Sequence, residues 1–470
     1  MSHVLLGADL GTSGLKLVAL DDEGTVVAEA ESGYPVDRPH PGWAETDVRS
    51  WRTAFDDTLA AIAPALSGRR VRGLGLSGQM HGAVPVDAAG AALRPALLWP
   101  DSRASAELER WRALPQADRA ALANPLVAGM TGPLVAWLAR HEPGILARAA
   151  AVLLPKDALR ASVVTGAPAV TDRSDASATL LWDVAGERWL PAAVAAAGIP
   201  AELLPEVRPG AAVVGTAPLP GGDVPVVVGG ADTPLALLAA GTTDGVQINL
   251  GTGAQILRLG ETPRPADDPV VHCYADVGDG WYAMAALQNG GAAWSWVCGV
   301  LGLSWAELFD AAASAPDGAG GVVFRPFLAG ERGGVAGPEE RGGWSGLQPA
   351  TTRADLARAA VEGVLFAVGA ALDLLGVPDD GAPVVLSGGG ARHPVVRHLL
   401  ADVLGRPVAH LPLRSASATG AALLAGRGVG LDVVPLRKAA PAVLPRRSPD
   451  LTAAAQRWAG QTAAGPGTRT

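Results

Sequence analysis

The stretch GADLGTSGLKLVAL, residues 7–20, decides the fold of this chain. Apolar residues precede it and fill its second half, so it predicts two β-strands joined by a tight turn. A tight turn requires glycine, but it requires neither an acid at its entrance nor two hydroxyl groups at its tip. These additional polar residues indicate that the turn has a chemical task.

The turn has the composition of an anion-binding site. It carries backbone N–H groups and no large side chain, and it consists of Gly11, Thr12, Ser13 and Gly14. Lys16 places a cation just beyond the turn. Asp9 would repel a phosphate directly, but its carboxylate can hold the Mg²⁺ that neutralises one. On this motif alone, a plain glycine hairpin that binds nothing remains the alternative.

A second stretch repeats this pattern. NLGTGAQILRL, residues 249–259, again predicts a strand, a Leu-Gly-Thr turn and a second strand, with Gly251 and Thr252 in the turn. Two such turns on two similar domains could hold one polyphosphate from both sides. Duplication kept for folding reasons alone is therefore the weaker alternative.

Strands that end in glycine and lead into helices alternate along the chain, which predicts an α/β fold. The repeat divides the chain into a first domain, residues 1–243, and a second domain, residues 244–434. The remaining tail, residues 435–470, is predicted to hold one helix and then to fray from about Gly465. Ser448 is expected to cap that helix, with Pro449 at its first position.

Composition and charge exclude several classes of function. The chain has 470 residues, of which 49% are hydrophobic, and this is enough for a sizeable core. A net charge of −9 argues against a nucleic-acid partner. No apolar run reaches the roughly 18 residues of a membrane span, and the N-terminus has no signal-peptide pattern. The small number of cysteines, two, favours a reducing cytoplasm. Together, these features predict a cytoplasmic protein that binds neither nucleic acid nor membrane.

The stretch GGADTPL, residues 229–235, places an acid where a strand leads into a helix. Thr233 is predicted as the N-cap, Pro234 as the first helical residue and Gly241 as the C-terminal stop. Asp232 then lies at the positive end of the helix dipole, which favours its ionised form. An ionised carboxylate facing an open space can accept the proton of a hydroxyl that attacks phosphorus. A role as an alternative N-cap stays open.

Three consecutive glycines follow a third predicted strand in SGGGAR, residues 387–392. Because such a run is costly in backbone entropy, we expect a flat group such as adenosine to lie against Gly389 and Gly390. A flexible connection is the equally weighted alternative.

Two further motifs offer side chains to a polyhydroxyl ligand. Met80 and His81 would present an imidazole, although a single histidine is more often structural. Asp101 and Arg103 could hold sugar hydroxyls or only each other. The cysteines and histidines lack the spacing of metal ligands, so a structural metal site is not expected.

Taken together, these motifs resemble those of the FGGY family of carbohydrate kinases. The resemblance keeps the family's order from about residue 4 to about residue 430. It rests on the stretches DLGTSGLK, SGQMHGA, LWPDSR, LLPKDALR, GGADT, NLGTG, FLAGER and SGGGARHP. It implies two actin-like, ribonuclease-H-like domains of the sugar kinase–actin type, with ATP and a sugar in the cleft between them.

The resemblance also implies roles for single residues. Asp232 is expected to be the catalytic base, and both Asp9 and Asp232 are expected to lie at Mg²⁺. The residues expected at the sugar are Met80, His81, Asp101, Arg103 and Asp232. The residues expected at ATP are Gly11, Thr12, Ser13, Lys16, Gly251, Thr252, Gly389 and Gly390.

Within the family, the stretches HPGWAETD and LLPKDALR are most similar to kinases that act on D-xylulose. The expected reaction is therefore the transfer of a phosphoryl group from ATP to D-xylulose, giving D-xylulose 5-phosphate. Ribulose, gluconate, an alditol or glycerol remain alternative substrates of the same family. A catalytically silent sugar-binding regulator is a more remote alternative, and so is an ATPase that works as a chaperone or filament subunit. The sequence is compatible with a homodimer.

The sequence departs from the family pattern at several positions. Thr233 replaces the family's Asn after the catalytic Asp, and Trp99-Pro100-Asp101 replaces Trp-Asn-Asp. The family's GERTP is GERGG at residues 330–334, which predicts a more flexible loop. We expect these changes to affect the choice of sugar and not the phosphate chemistry.

Overall fold

The computed structural model describes residues 2–164, 166–220, 222–378, 380–435 and 440–462. It confirms the α/β class, because two large mixed sheets are flanked by helices. The predicted fraying from Gly465 lies outside the described residues. We call the part built around the first sheet the first lobe and the part built around the second sheet the second lobe.

The strands of the first sheet are β1 (His3–Leu10), β2 (Gly14–Asp21), β3 (Val26–Gly33), β4 (Arg70–Gly78), β5 (Val213–Leu219), β6 (Gly222–Val227) and β7 (Gly230–Ala231), and those of the second are β8 (Gly245–Leu250), β9 (Ala254–Glu261), β10 (His272–Ala275), β11 (Trp281–Leu287), β12 (Val384–Ser387) and β13 (Val408–His410). The strand order is β5-β6-β4-β1-β2-β3 in the first sheet, with β7 also paired to β4, and β10-β11-β9-β8-β12-β13 in the second.

The helices are α1 (Val48–Leu66), α2 (Leu108–Arg112), α3 (Gln116–Ala121), α4 (Thr131–His141), α5 (Pro143–Leu146), α6 (Pro155–Val163), α7 (Arg173–Ala176), α8 (Pro191–Ala197), α9 (Asp232–Ala240), α10 (Gly291–Leu301), α11 (Trp305–Ser314), α12 (Arg353–Leu374), α13 (Pro394–Leu404), α14 (Ala416–Gly428) and α15 (Pro449–Thr462). Short two-stranded pairs join Glu45–Thr46 to Ala96–Leu97, Val84–Val86 to Ala151–Leu153, Val170–Thr171 to Glu206–Val207, Trp182–Asp183 to Arg188–Trp189, and Val323–Arg325 to Gly343–Ser345.

The two predicted hairpins occupy matching places in the two sheets. Strand β1 pairs antiparallel with β2 and parallel with β4, and β8 pairs antiparallel with β9 and parallel with β12. In the first sheet Asp9 lies opposite Ser77, and in the second Asn249 lies opposite Ser387. The repeat seen in the sequence is therefore a repeat in the backbone.

Helices cover the first sheet on both faces because its central strands are apolar on both faces. Helix α1 buries Trp51 and Phe55 against one face. Helix α14, which follows the second sheet in the chain, packs on the opposite face of the first sheet. A Cβ atom on Gly7 would lie 1.9 Å from the carbonyl oxygen of Ala418, and one on Gly75 would lie 2.0 Å from that of Ala421. Only glycine lets the helix backbone approach the strands so closely.

The lobes share an apolar core beneath the cleft. Met80 and Leu97 of the first lobe are buried in one cluster with Leu257, Tyr274 and Met284 of the second. The predicted boundary between residues 243 and 244 lies in the connection between α9 and β8.

The structure corrects one helix boundary and confirms another. Helix α9 begins at Asp232 with Ala231 as its N-cap, so the prediction of Thr233 as the cap is wrong. It ends as predicted at Gly241, whose φ of 60° is left-handed. Near the C-terminus, the Ser448 hydroxyl accepts a hydrogen bond from the N–H of Leu451, as predicted for the cap of α15.

Within the described ranges, no single helix is long and apolar enough to cross a membrane. Helices α10 and α11, whose axes differ by 86°, reach the length and apolar composition of a membrane span only when the two are taken together.

Candidate active site

Three parallel strands bring the two acidic residues to one edge of the first sheet. Strand β4 lies between β1 and β7, with Asp9 opposite Ser77 on one side and Gly230 opposite Ser77 on the other. Neighbouring strands are about 4.8 Å apart, so Asp9 and the segment that carries Asp232 are about 10 Å apart across β4. Ligands of α/β folds bind at this carboxyl edge.

Asp9 is held in place by the strand next to it. The Ser77 hydroxyl donates a hydrogen bond of 2.9 Å to Asp9 Oδ1. Burial raises the pKa of Asp9, while the Ser77 hydrogen bond and the charge of Lys16 oppose this. Lys16 faces Asp9 across the hairpin and also lies 3.9 Å from Glu31.

Asp232 keeps one carboxylate oxygen free. Its Oδ1 accepts hydrogen bonds from the N–H of Thr233 at 2.6 Å and from the Thr233 hydroxyl at 3.2 Å. Its Oδ2 has no hydrogen-bond partner in the described part of the chain. Thr233, where the sequence departs from the family's Asn, thus orients the neighbouring acid.

The electrostatics of Asp232 differ from the sequence prediction. Burial and the charge of Asp9 raise the pKa of Asp232 to about 7, although the hydrogen bonds from Thr233 lower it. Burial and the neighbouring acid thus oppose the helix dipole, which was predicted to favour the ionised carboxylate. A cation placed between Asp9 and Asp232 would lower both pKa values.

The donor set at this edge fits a magnesium ion. Carboxylate oxygens are hard ligands, and Mg²⁺ in nucleotide enzymes is often held by one or two carboxylates together with substrate phosphates. Among the described residues, neither Asp9 nor Asp232 forms an ion pair with a Lys, Arg or His side chain. The same residues contain no group of three or more acidic, His or Cys side chains that could hold a metal by protein ligands alone. The site therefore fits a metal that arrives with its substrate.

The first hairpin offers fewer amides than predicted. The N–H of Gly11 donates to the carbonyl of Gly14 at 3.0 Å, so it is used inside the turn. The N–H groups of Thr12 and Ser13 have no acceptor in the described ranges and remain available to an anion. The Thr12 hydroxyl accepts a hydrogen bond of 3.0 Å from the indole N–H of Trp99, which fixes its orientation.

The second hairpin has the same internal bond and reaches across the cleft. The N–H of Gly251 donates to the carbonyl of Gly253 at 2.9 Å, whereas the N–H of Thr252 has no acceptor among the residues described. From the adjoining strand, the Gln255 amide donates to the Thr233 hydroxyl at 3.5 Å. The second hairpin is therefore adjacent to the residue that orients Asp232.

Two glycines of the run after β12, Gly389 and Gly390, have different surroundings. Gly389 is exposed, and a Cβ atom there would meet nothing within 4 Å. Gly390 is buried, and a Cβ atom there would lie 2.9 Å from Leu250 and 3.0 Å from Trp294. Close packing thus explains Gly390, and Gly389 alone leaves an open surface for a flat ligand.

His81 enters the cleft in a constrained conformation. Its φ of 66° is left-handed, which is uncommon for a residue with a side chain. Its Nδ1 lies 2.5 Å from the carbonyl of Ala178, and because a carbonyl only accepts, Nδ1 carries the proton. Burial lowers the pKa of His81 to about 4. The ring is neutral at pH 7, and Nε2 is left as a hydrogen-bond acceptor. Met80 beside it is buried in the shared core.

The assignment of Asp101 and Arg103 to the sugar needs correction. Their side chains are 0% and 1% exposed and form an ion pair of 2.8 Å. Asp101 also accepts from the N–H of Ala44 at 2.6 Å, and Arg103 pairs with Glu45 at 2.7 Å. The Arg103 guanidinium lies 3.5 Å above the ring of Trp43. These groups hold each other, which was the structural alternative considered for them.

Arg332 is a further candidate residue of the site. It lies in the FLAGER stretch, but the sequence pattern did not identify it as a site residue. Its neighbour Glu331 is buried and accepts hydrogen bonds from the N–H groups of Gln288 at 2.8 Å and Arg332 at 2.9 Å. The exposed Arg332 guanidinium lies 5.5 Å from the Trp99 ring and forms no ion pair within the described ranges. Its charge also lowers the pKa of His81. The second lobe therefore directs an unpaired cation at the cleft.

The sequence did not predict the group of neutral polar rings formed by His81, His272 and Tyr274. The N–H of Cys273 in β10 donates to the carbonyl of Ala123 at 3.1 Å, which attaches this strand of the second lobe to the first. The Tyr274 hydroxyl lies 2.7 Å from His272 Nδ1, and the Tyr274 ring lies 6.2 Å from His81. Burial lowers the pKa of His272 to about 3. No local sequence signal predicts this contact, because it arises from packing between lobes.

Comparisons with known proteins cover both lobes. The family model of the N-terminal domain of the FGGY family of carbohydrate kinases matches residues 4–239, and that of the C-terminal domain matches residues 246–429. A xylulose kinase from Escherichia coli (strain K12) is 35% identical over 437 residues, covering 90% of this chain and 88% of the relative.

Not every similar protein is named as a xylulose kinase. A glycerol kinase from Aromatoleum aromaticum is 33% identical over 451 residues, covering 91% of this chain and 90% of that kinase. The crystal structure of a xyloylose kinase from Brucella ovis has a TM-score of 0.88 and 30% identity, covering 98% of both chains. The similarity thus extends over the sheets, both hairpins and the loop that carries Arg332.

Proposed function

The chain belongs to the FGGY family of carbohydrate kinases and is an ATP-dependent carbohydrate phosphotransferase, and we propose that its substrate is D-xylulose, which it converts to D-xylulose 5-phosphate. The observation that carries the proposal is Asp232, with one free carboxylate oxygen, at the sheet edge next to both hairpins.

Asp232 is proposed as the general base. The attacking sugar hydroxyl gives its proton to Asp232 Oδ2 while its oxygen forms a bond to the γ-phosphorus of ATP. The bond between that phosphorus and the β–γ bridging oxygen breaks, and ADP leaves. Hydrogen bonds from Thr233 hold Oδ1, so the free oxygen has a defined direction.

The hairpins and nearby cations are proposed to hold the phosphates. The free N–H groups of Thr12, Ser13 and Thr252 are the donors, and Lys16 and Arg332 lower the cost of the developing charge. Asp9, with Asp232, would hold Mg²⁺, which when bound neutralises phosphate charge. Gly389 is proposed to lie against the adenosine.

His81 is proposed to orient the sugar. Neutral Nε2 accepts a hydroxyl hydrogen bond, and Met80 supplies the apolar surface beside it. The rings of Tyr274 and His272 close the far side of the pocket and help to exclude water, which would otherwise take the phosphoryl group.

D-xylulose is favoured over other sugars by the relatives. The curated xylulose kinases of Escherichia coli and Klebsiella pneumoniae are 35% and 34% identical over 90% of this chain. Glycerol is the second candidate because the Aromatoleum aromaticum glycerol kinase is 33% identical. The unpaired Arg332 would also suit a carboxylated sugar such as gluconate.

A panel of sugars tests the proposal. ADP release from ATP is measured with D-xylulose, D-ribulose, glycerol, gluconate and an alditol, and kcat/KM is compared. We expect D-xylulose to exceed each other sugar at least about tenfold, the discrimination that one or two pocket contacts supply. Asp232→Asn is the control that assigns the activity to this site. A higher kcat/KM for glycerol or gluconate would overturn the choice of sugar and leave the kinase assignment standing.

A further inference from the structure

A fully buried ionic cluster lies behind the sheet edge. We use this name for Lys156, Asp157, Arg160, Asp172 and Asp175, none of which is more than 1% exposed. Lys156 Nζ lies 2.7 Å from Asp157, 3.1 Å from Asp172 and 2.9 Å from Asp175. Arg160 pairs with Asp157 at 2.7 Å.

Such a cluster is an expensive way to stabilise a fold. Removing each ion from water costs several kcal/mol, and well-packed apolar residues often stabilise a protein as well or better. Burial raises the pKa of Asp175, although Lys156 opposes this. The desolvation cost suggests a role other than stability.

The cluster is connected to the backbone that leads to Asp232 at two points. Arg160 donates a hydrogen bond of 2.6 Å to the carbonyl of Val228. Ser174 accepts a hydrogen bond of 3.0 Å from the N–H of Ala231, the N-cap of α9. Ser174 is itself held by Asp172, through its own N–H at 2.9 Å and through its hydroxyl. Both ends of the segment 228–231 are thereby fixed.

We propose that the ionic cluster, acting through Ser174 and Arg160, is a positioning device that sets the place of Asp232 for phosphoryl transfer. The inference rests on the proposed role of Asp232 as base. Ser174 and Arg160 touch neither sugar nor ATP in this scheme, and they act only through the backbone of residues 228–231. A general base must lie within hydrogen-bond reach of its proton, and a misplacement of about 1 Å can cost about a hundredfold in rate.

The test removes the link and leaves the charges in place. Ser174→Ala deletes the hydroxyl that accepts from Ala231 and keeps all five ionic groups. Thr58→Val is the matched control, because the Thr58 hydroxyl is equally buried but bonds only to the carbonyls of Ala54 and Phe55 in α1. Asp232→Asn is the reference for loss of the base. For each variant we would measure kcat, both KM values, ADP affinity by calorimetry and the melting temperature.

The expected result is a split between turnover and binding. Ser174→Ala lowers kcat about tenfold or more, while both KM values and ADP affinity change less than about threefold. Thr58→Val keeps wild-type kcat at a comparable melting temperature. Arg160→Lys, which retains the charge but cannot span Asp157 and Val228, is the second variant and is expected to show the same split.

Two results would overturn the inference, and they are distinguishable. If Asp232→Asn is inactive while Ser174→Ala and Arg160→Lys turn over like the control, the cluster is structural and only this inference fails. If Asp232→Asn retains wild-type kcat, the proposed base is wrong and the inference fails with it.

Discussion

The hairpins β1–β2 and β8–β9 hold the same place in their sheets but carry different side chains at one matched position. Asp9 in the first faces Ser77 of the parallel neighbour, and Asn249 in the second faces Ser387. Ser77 donates to Asp9 at 2.9 Å, whereas Ser387 donates to the backbone carbonyl of Ile248 at 3.4 Å. The Asn249 amide donates within its own hairpin, to Gln255 at 3.3 Å.

This difference shows how one repeated scaffold acquires two tasks. The turns and the parallel neighbour give each lobe free N–H groups at its sheet edge. An acid on both sides would repel a polyphosphate twice, and an acid on neither would leave Asp232 as the one remaining acid of the proposed metal site. One acid and one amide of the same shape agree with the proposal that the first lobe holds the metal and the second lobe faces the nucleotide. Two exchanges between the hairpins and one pair of serine substitutions in the neighbouring strands test this interpretation.

Asp9→Asn makes the first hairpin like the second and should have the largest effect. We expect kcat to fall by about a hundredfold to a thousandfold, as for the loss of one preorganised electrostatic group. Because the charge of Asp9 raises the pKa of Asp232, the variant's Asp232 is ionised at lower pH, so a protonated base cannot explain the loss. Steady-state kcat over a Mg²⁺ titration measures the effect. A kcat within threefold of wild type at every Mg²⁺ concentration would contradict the assignment.

Asn249→Asp makes the second hairpin like the first, with a smaller effect. A charge about 10 Å from a phosphate costs about 1–2 kcal/mol at an effective dielectric constant of 20, which is roughly a tenfold rise in the KM for ATP. The sugar KM should not change. Asn249→Ser is the neutral control, and ADP binding by calorimetry is the second measurement. Unchanged ATP KM and ADP affinity in Asn249→Asp would place the phosphates elsewhere.

Ser77→Ala and Ser387→Ala form a pair with the smallest expected effects. Ser77→Ala removes a hydrogen bond that lowers the pKa of Asp9, so that pKa rises and apparent Mg²⁺ affinity falls about fivefold, the value of one hydrogen bond of about 1 kcal/mol. Ser387→Ala should change it less than twofold, because the Ser387 hydroxyl contacts only the backbone. Equal effects in the two variants would remove the functional contrast between the hairpins.

Local patterns in the sequence predicted the hairpins, the strands that end in glycine and the acid at the start of α9. These features depend on neighbouring residues, so a short window contains their signal. The pKa of Asp232 could not be predicted, since it depends on burial and on Asp9 more than on the helix that follows. The burial of Asp101 and Arg103 likewise depends on Trp43 and Glu45, which lie far from them in the chain.

The parts of the site that cross between lobes were the least predictable. His272 and Tyr274 reach His81 only because β10 attaches to the carbonyl of Ala123. Arg332 was visible in its motif, but the two glycines after it suggested a loose loop. The hydrogen bonds of Glu331 hold that loop, and no sequence window contains them.

The contact of α14 with the first sheet has a consequence for motion. With no side chain between backbone and backbone at Gly7 and Gly75, this helix and the sheet behave as one rigid piece, although the chain reaches α14 from the second lobe. Any opening or closing of the cleft must then be absorbed where the chain passes between the lobes: at residues 241–244, at residues 411–415, and after α14, where the chain returns to the second lobe at Val443 and α15. Ser415, at the end of the second connection, has a left-handed φ of 44°.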